Sequence, residues 1–269
     1  LTGANLTLGF ATGLGNYQGL TLTGPLGVNL LSSVVNVSGA LAIRGNGISQ
    51  TSAGIITAGN TTLNSAGDIN LAGGNIFNGS VSISAVNAQI NNTTALDLGT
   101  SSLTGNLIAN SGGALTQTGS LTVAGTTNLT ASGFDITLAN KANSLTGSVT
   151  FNGANISLTN NRATVLAASS ATGTLAVSAS GAITQNGALS TGGNASFTGT
   201  DITLQNTGNT FGGTVGFTGN NVALFDSTAL ALAASTTSTW TVNPGLTMTD
   251  SAIISGSGNL TKNGTGTLI

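Results

Sequence analysis

Apolar and small polar residues alternate along most of this chain, in short runs. Ser80-Val81-Ser82-Ile83-Ser84 is one run; Asp135-Ile136-Thr137-Leu138 and Thr150-Phe151-Asn152 are others. A period of two over a few residues, closed on both sides by Gly, Asn and Ser, predicts short β-strands with one buried face. Asn and Gly supply the corners, because both enter tight turns at low cost. No stretch carries a 3.6-residue period. The segment Ala229 to Ala234 is rich in Ala and Leu, but it aligns with strand positions elsewhere and reads as strand.

The same pattern returns at long range. Gly47-Ile48-Ser49-Gln50, Ala114-Leu115-Thr116-Gln117 and Ala182-Ile183-Thr184-Gln185 open three copies, with their Gln residues 67 and 68 positions apart. Internal repetition of this kind marks a solenoid or an array. The copies run over 47–113, 114–181 and 182–244, with a partial copy over 1–46 and a degenerate one over 245–269. Columns keep their chemistry. Asp68, Asp135 and Asp201 each precede an Ile; Asn75, Asn143 and Asn209 open the following strand. Val81, Val149 and Val215 form a further column, and Asn87, Asn155 and Asn221 another. One copy holds roughly nine strands. Three strands per coil then gives about 22 residues per coil and about 12 coils, stacked at about 4.8 Å. The predicted fold is all-β: a right-handed parallel β-helix with three faces, one continuous unit over 1–269. A membrane β-barrel also alternates, but it needs aromatic girdles at both interfaces. Tyr17 and Trp240 are the only girdle-type residues. β-Sandwich domains need about 100 residues each, more than one copy supplies.

Composition narrows the chemistry. Ten residues are charged: Asp68, Asp97, Asp135, Asp201, Asp226 and Asp250 against Arg44, Lys141, Arg162 and Lys262. Four cations cannot neutralise a phosphate backbone, which argues against nucleic-acid binding. With no His and no Cys, soft metal sites, thiol nucleophiles, Ser-His-Asp triads and disulfides are excluded. No apolar run is long enough for a transmembrane helix. The chain begins at Leu1 without a signal peptide and reads as an excerpt of a longer protein. Disorder combines low hydrophobicity with high net charge, whereas here 39% of residues are hydrophobic and the net charge is −2.

The Asp68/Asp135/Asp201 column is the most tempting site. Stacked three coils apart, its members would lie about 14 Å from one another. Paired glycosidase carboxylates need about 5–9.5 Å, and Ca²⁺ ligands sit within about 2.6 Å of the ion. These Asp residues, like the Asn87/Asn155/Asn221 column, are expected to shape corners. Arg162 lies near Asn160 and Asn161, and Lys141 lies six residues after Asp135, but neither forms an acid–base cluster. Trp240 and Tyr17 read as strand residues. Sequons such as Asn128-Leu129-Thr130 follow from the abundance of Asn and Thr, and exposed Thr-x-Thr pairs such as Thr21-Leu22-Thr23 do not recur once per coil. No catalytic, cofactor-binding or metal-ligating residue is assigned, and no cofactor is expected.

Gly256-Ser257-Gly258-Asn259-Leu260-Thr261-Lys262-Asn263-Gly264-Thr265-Gly266-Thr267-Leu268 resembles the passenger-associated transport repeat of bacterial autotransporters, through Leu260, Lys262, Gly264, Gly266 and Leu268. The Gly-Asp-Ile-x-Leu and Asn-Gly strands resemble filamentous-haemagglutinin-like adhesin repeats. The resemblance implies a passenger that crosses the outer membrane unfolded, through its own barrel or a separate transporter, and folds outside. The expected function is a structural, adhesive segment of an exported surface protein of a Gram-negative bacterium. It is expected to be monomeric and non-enzymatic, and to face an unidentified receptor or glycan. A polysaccharide-active β-helix enzyme and a phage fibre segment are the alternatives.

Overall fold

The computed structural model describes residues 2–3, 5–7, 14–31, 33–233, 235–242, 248–250, 254–255 and 260–262. The chain forms two compact units, Leu1–Ser144 and Leu145–Ile269. Each is a solenoid of short parallel strands, and no helix occurs among the described residues. The all-β parallel solenoid expected from the alternation is the fold observed.

In the first unit, one coil consists of Ala88–Asn92, Leu96–Leu98 and Ser101–Leu103. The next coil, Leu107–Ser111, Leu115–Gln117 and Leu121–Val123, stacks on it strand for strand. Three ladders follow. One runs through Val28, Ile48, Ile69, Ala88, Leu107 and Thr127. A second runs through Leu41, Thr61 and Val81 and continues as Ala85, Leu103 and Val123. The third runs through Leu96, Leu115 and Ile136. The second unit repeats the plan. Its ladders pass through Ile156, Leu175, Ala195 and Val215, through Thr164, Ile183, Ile202 and Val222, and through Ala171, Thr191 and Phe211.

Alternation does the sorting. Ile69–Phe77 buries every second residue, and Ile156–Asn160 and Leu175–Ala179 do the same. Inward Leu, Ile, Val and Ala therefore stack on one another from coil to coil. Each stack removes apolar surface from water on both sides, worth about 25 cal/mol per Å². Phe77, Phe151, Phe197 and Phe211 are the largest fully buried side chains among the described residues. Phe197 and Phe211 meet edge to face, with centroids 6.1 Å apart, the geometry that ring quadrupoles favour.

The coil is shorter than expected: about 20 residues per turn, and about 11 coils. Strand count explains the shorter turn. From Leu115–Gln117 up to the equivalent Ile183–Gln185 the chain makes ten strands, not nine. With three strands per coil, ten strands amount to three coils and one further face. Equivalent residues of successive repeats therefore lie on different ladders. In the first unit, Ile48 belongs to the Val28–Thr127 ladder and its equivalent Leu115 to the Leu96–Ile136 ladder. In the second, Val149–Gly153 is continued by Ser169–Ala171, whereas the equivalent Val215 stacks on Ala195. The expected superposition of Asp68 and Asp135 three coils apart is corrected accordingly: Asp68 opens the rung of Ile69, Asp135 that of Ile136, and these rungs lie on different ladders.

Candidate functional surface

Three sets of polar side chains recur inside the solenoid. The first is a reciprocal amide pair. Gln50 Nε2 donates to Asn75 Oδ1 (2.9 Å), and Asn75 Nδ2 donates back to Gln50 Oε1 (3.1 Å). Gln117 and Asn143 repeat the exchange at 2.9 and 2.8 Å, and Gln185 and Asn209 at 2.8 Å both ways. Each Asn Oδ1 also accepts a backbone N–H from the coil below, from Ile56, Leu121 or Leu189, at 2.9 Å.

In the second set, Asn92 Oδ1 accepts the Phe77 N–H (2.8 Å) and Asn160 Oδ1 that of Leu145 (2.9 Å). Asn160 Nδ2 returns a bond to the Leu145 carbonyl at 3.0 Å. Here a side-chain amide stands in for the missing next strand. The third copy carries Asp226. Its Oδ1 accepts from Phe211 N (3.3 Å), Thr228 N (3.0 Å) and Thr228 Oγ1 (2.9 Å), while its Oδ2 is buried without a partner. In the third set Ser101, Ser169 and Ser235 accept the N–H of Ile83, Phe151 and Phe217 and donate to the carbonyls of Gly99, Ala167 and Ala233. Apart from Asp226 Oδ2, the buried polar atoms of these sets are hydrogen-bonded, which is what lets them lie in the interior. These sets secure the backbone where the ladders are interrupted.

The outside is hydroxyl and amide chemistry. Asp68 is exposed, and its Oδ1 accepts from Asn87 N (3.1 Å) and Asn87 Nδ2 (2.8 Å). Asn87 Oδ1 in turn accepts the Asn106 N–H (2.8 Å), and Asn106 Oδ1 that of Thr126 (2.7 Å). Asp201 binds Asn221 as Asp68 binds Asn87, and Asn155 and Asn194 accept from Thr174 and Thr214. Asp68, Asp201, Asn87 and Asn155 hold the corner role expected for these columns. It also explains the glycine before each residue whose N–H donates to one of these Asn side chains: a Cβ at Gly105, Gly125, Gly173 or Gly213 would strike the Asn amide of the coil below.

Among the other residues singled out in the sequence, Asp97 is half-buried and accepts from Thr116 Oγ1 (3.3 Å) and Thr118 Oγ1 (2.8 Å). Asp135, Arg44, Lys141 and Arg162 are exposed. Tyr17 is exposed at 42%. The side chains of Trp240, Asp250 and Lys262 lie outside the described residues. So does most of the transport-repeat motif, of which only the strand Leu260–Lys262 is described. Shallow hollows lie on the strand faces. One of about 230 Å³ is lined by Asp68, Asn70, Asn87, Gln89, Asn106 and Ile108. One of about 420 Å³ is lined by Thr174, Ala176, Asn194, Ser196 and Thr198, with Phe217 beside them. Both offer hydrogen-bond donors and acceptors on an open, largely uncharged floor. Among the described residues no group of three or more His, Cys, Asp or Glu is placed to hold a metal ion.

The sequence columns contained Gln50, Asn75 and their counterparts, but not their pairing. The signal was present: Gln and Asn recur 25, 26 and 24 residues apart at positions where alternation calls for an apolar residue. The Ser101 and Asn92 sets carry the same signal and were not anticipated. Comparison with curated proteins and with solved structures gives no match. A family model described as repeats of unknown function (DUF5649) matches three times in tandem, over 18–84, 85–152 and 153–218. These matches cover most of the sequence and follow the same cycle at a different phase, and the chain belongs to that family of repeats.

Proposed function

We propose that this segment is a structural, adhesive passenger of an exported bacterial surface protein. The observation that carries the reading is the architecture: tandem repeats stacked in parallel ladders, with an exterior of Ser, Thr and Asn and few charges. Such a solenoid gains stability coil by coil from nearest-neighbour contacts, so it can form progressively as a chain emerges. The absence of Cys removes disulfides that could trap the chain in an oxidising periplasm. The resemblance of 256–268 to a transport repeat agrees with passage through an outer-membrane transporter. The open, polar hollows suit many weak contacts to a receptor or glycan, whose sum rather than any single one gives useful affinity.

Antibodies raised against this chain test the reading on Gram-negative cells producing the parent protein. Intact cells should be labelled as strongly as permeabilised ones, and the purified chain should sediment as a monomer. Label that appears only after permeabilisation would overturn surface display.

A further inference from the structure

The buried Gln–Asn pairs bridge corners whose lengths differ. From Gln to the residue whose N–H reaches the Asn, the first copy takes six residues (Gln50 to Ile56) and the others four (Gln117 to Leu121, Gln185 to Leu189). In the coil above, the stretch from the Leu whose carbonyl the Asn amide reaches to the Asn itself is four residues in the first copy (Leu71 to Asn75). It is five in the others (Leu138 to Asn143, Leu204 to Asn209). The coil-to-coil offset changes in opposite senses across these corners. In the first it falls, from Gln50 beneath Leu71 to Thr57 beneath Ile76. In the third it rises, from Ile183 beneath Ile202 to Ser190 beneath Thr210. The reciprocal amide exchange is the same in all three.

Alternation alone cannot fix this register. A one-residue slip between coils turns every side chain to the wrong face and is forbidden. A two-residue slip keeps inward residues inward and exchanges one aliphatic residue for another. A buried amide pair forbids that slip too, because it would strand two polar side chains and the backbone groups they serve. We propose that each Gln–Asn pair is a register key. It fixes the pairing beyond its corner independently of the corner's length, and so makes these three corners the places where the solenoid can carry added or variable loop segments. The upper corner of the third copy shows how: Asn206 N–H binds Gln185 Oε1 (3.3 Å) and its Oδ1 accepts the Gly208 N–H (2.9 Å), leaving Thr207 exposed at the tip.

The test places about ten Gly/Ser residues between Thr207 and Gly208 of the full chain. Register is read by oxidising Ser190→Cys/Thr210→Cys, a stacked pair whose hydroxyls lie 3.0 Å apart in a chain with no other cysteine. Neighbouring parallel strands lie about 4.8 Å apart, within disulfide reach. Loop-closure entropy grows slowly, so the insertion should lower Tm by less than about 4 °C and leave disulfide yield unchanged. In a Gln185→Met background, where Asn209 keeps its backbone partners, the same insertion should lower Tm more than twice as far and reduce the yield several-fold. The same insertion between Thr172 and Gly173, at a corner without a key, should be as damaging with Gln185 intact. Equal effects of the 207/208 insertion in both backgrounds, or loss of the disulfide with the key intact, would overturn the proposal.

Discussion

Asp226 occupies a position that Asn92 and Asn160 fill in the other two copies, and the difference is a single buried atom. Asn160 donates from Nδ2 to the Leu145 carbonyl at 3.0 Å. Asp226 presents Oδ2 instead, buried and unpartnered. An orphaned buried polar atom costs about 1–3 kcal/mol. Replacing Asp226 by Asn restores a donor toward the Phe211 carbonyl without changing side-chain shape. Thermal unfolding of Asp226→Asn should show a rise in Tm of about 2–6 °C, and Asn160→Asp a fall of similar size. No change in either variant would mean that the carboxyl oxygen is not the weak point its geometry indicates. Nothing in the sequence set Asp226 apart from the other acids, because its partners come from the Phe211 strand and from Thr228 beyond the corner. The exposed Asp68 and the half-buried Asp201 were readable, since an acid at the start of a rung beside a Gly-rich corner has a local task.

Strands were legible wherever alternation ran for three residues or more. The miscount of strands per repeat arose where it did not. Ser144–Leu145 and Thr210–Phe211 are two residues long, too short to show a period, and Ile69–Phe77 runs as one strand across two ladders. Those elements turn nine strands into ten and rotate each copy by one face. Corners were legible as glycine, but not which glycines are obligatory. A Cβ at Gly112 would collide with the Thr93 carbonyl of the coil below, a backbone group that cannot yield without breaking the stack. At Gly74 the nearest atom is the Thr93 Cγ2 methyl at 3.4 Å, an ordinary contact. Urea unfolding should therefore separate two substitutions of identical chemistry. Gly112→Ala should cost about 2–4 kcal/mol through overpacking. Gly74→Ala should be neutral or stabilising by up to about 1 kcal/mol, because Ala restricts the unfolded chain.

For the molecule as a whole, the question is which segment is the unit of construction, the coil or the repeat. Coils resemble one another in backbone, but their interior polar residues differ, and the full set of amide pairs, Asn clasps and Ser bridges recurs only once per repeat. Deleting the coil 88–106 joins Asn87 to Leu107 and keeps three strands per turn. It also removes Asn92 and Ser101, which hold the Phe77 and Ile83 backbones. By the existing register, Ser111 and Leu121 would take their places, and neither can supply the same bonds. Two buried N–H groups would be stranded at about 1–3 kcal/mol each. Deleting the whole repeat 47–113 removes more than three times as much chain. It brings Leu115 to the rung that Ile48 now fills above Val28, and the key between Gln117 and Asn143 survives intact. In a nearest-neighbour solenoid the cost of a deletion is set by the mismatched interfaces it leaves, not by its length. The 67-residue deletion should therefore unfold cooperatively and at a higher temperature than the 19-residue one, by differential scanning calorimetry on both. The opposite order would make the coil, and not the repeat, the unit from which this fold is built.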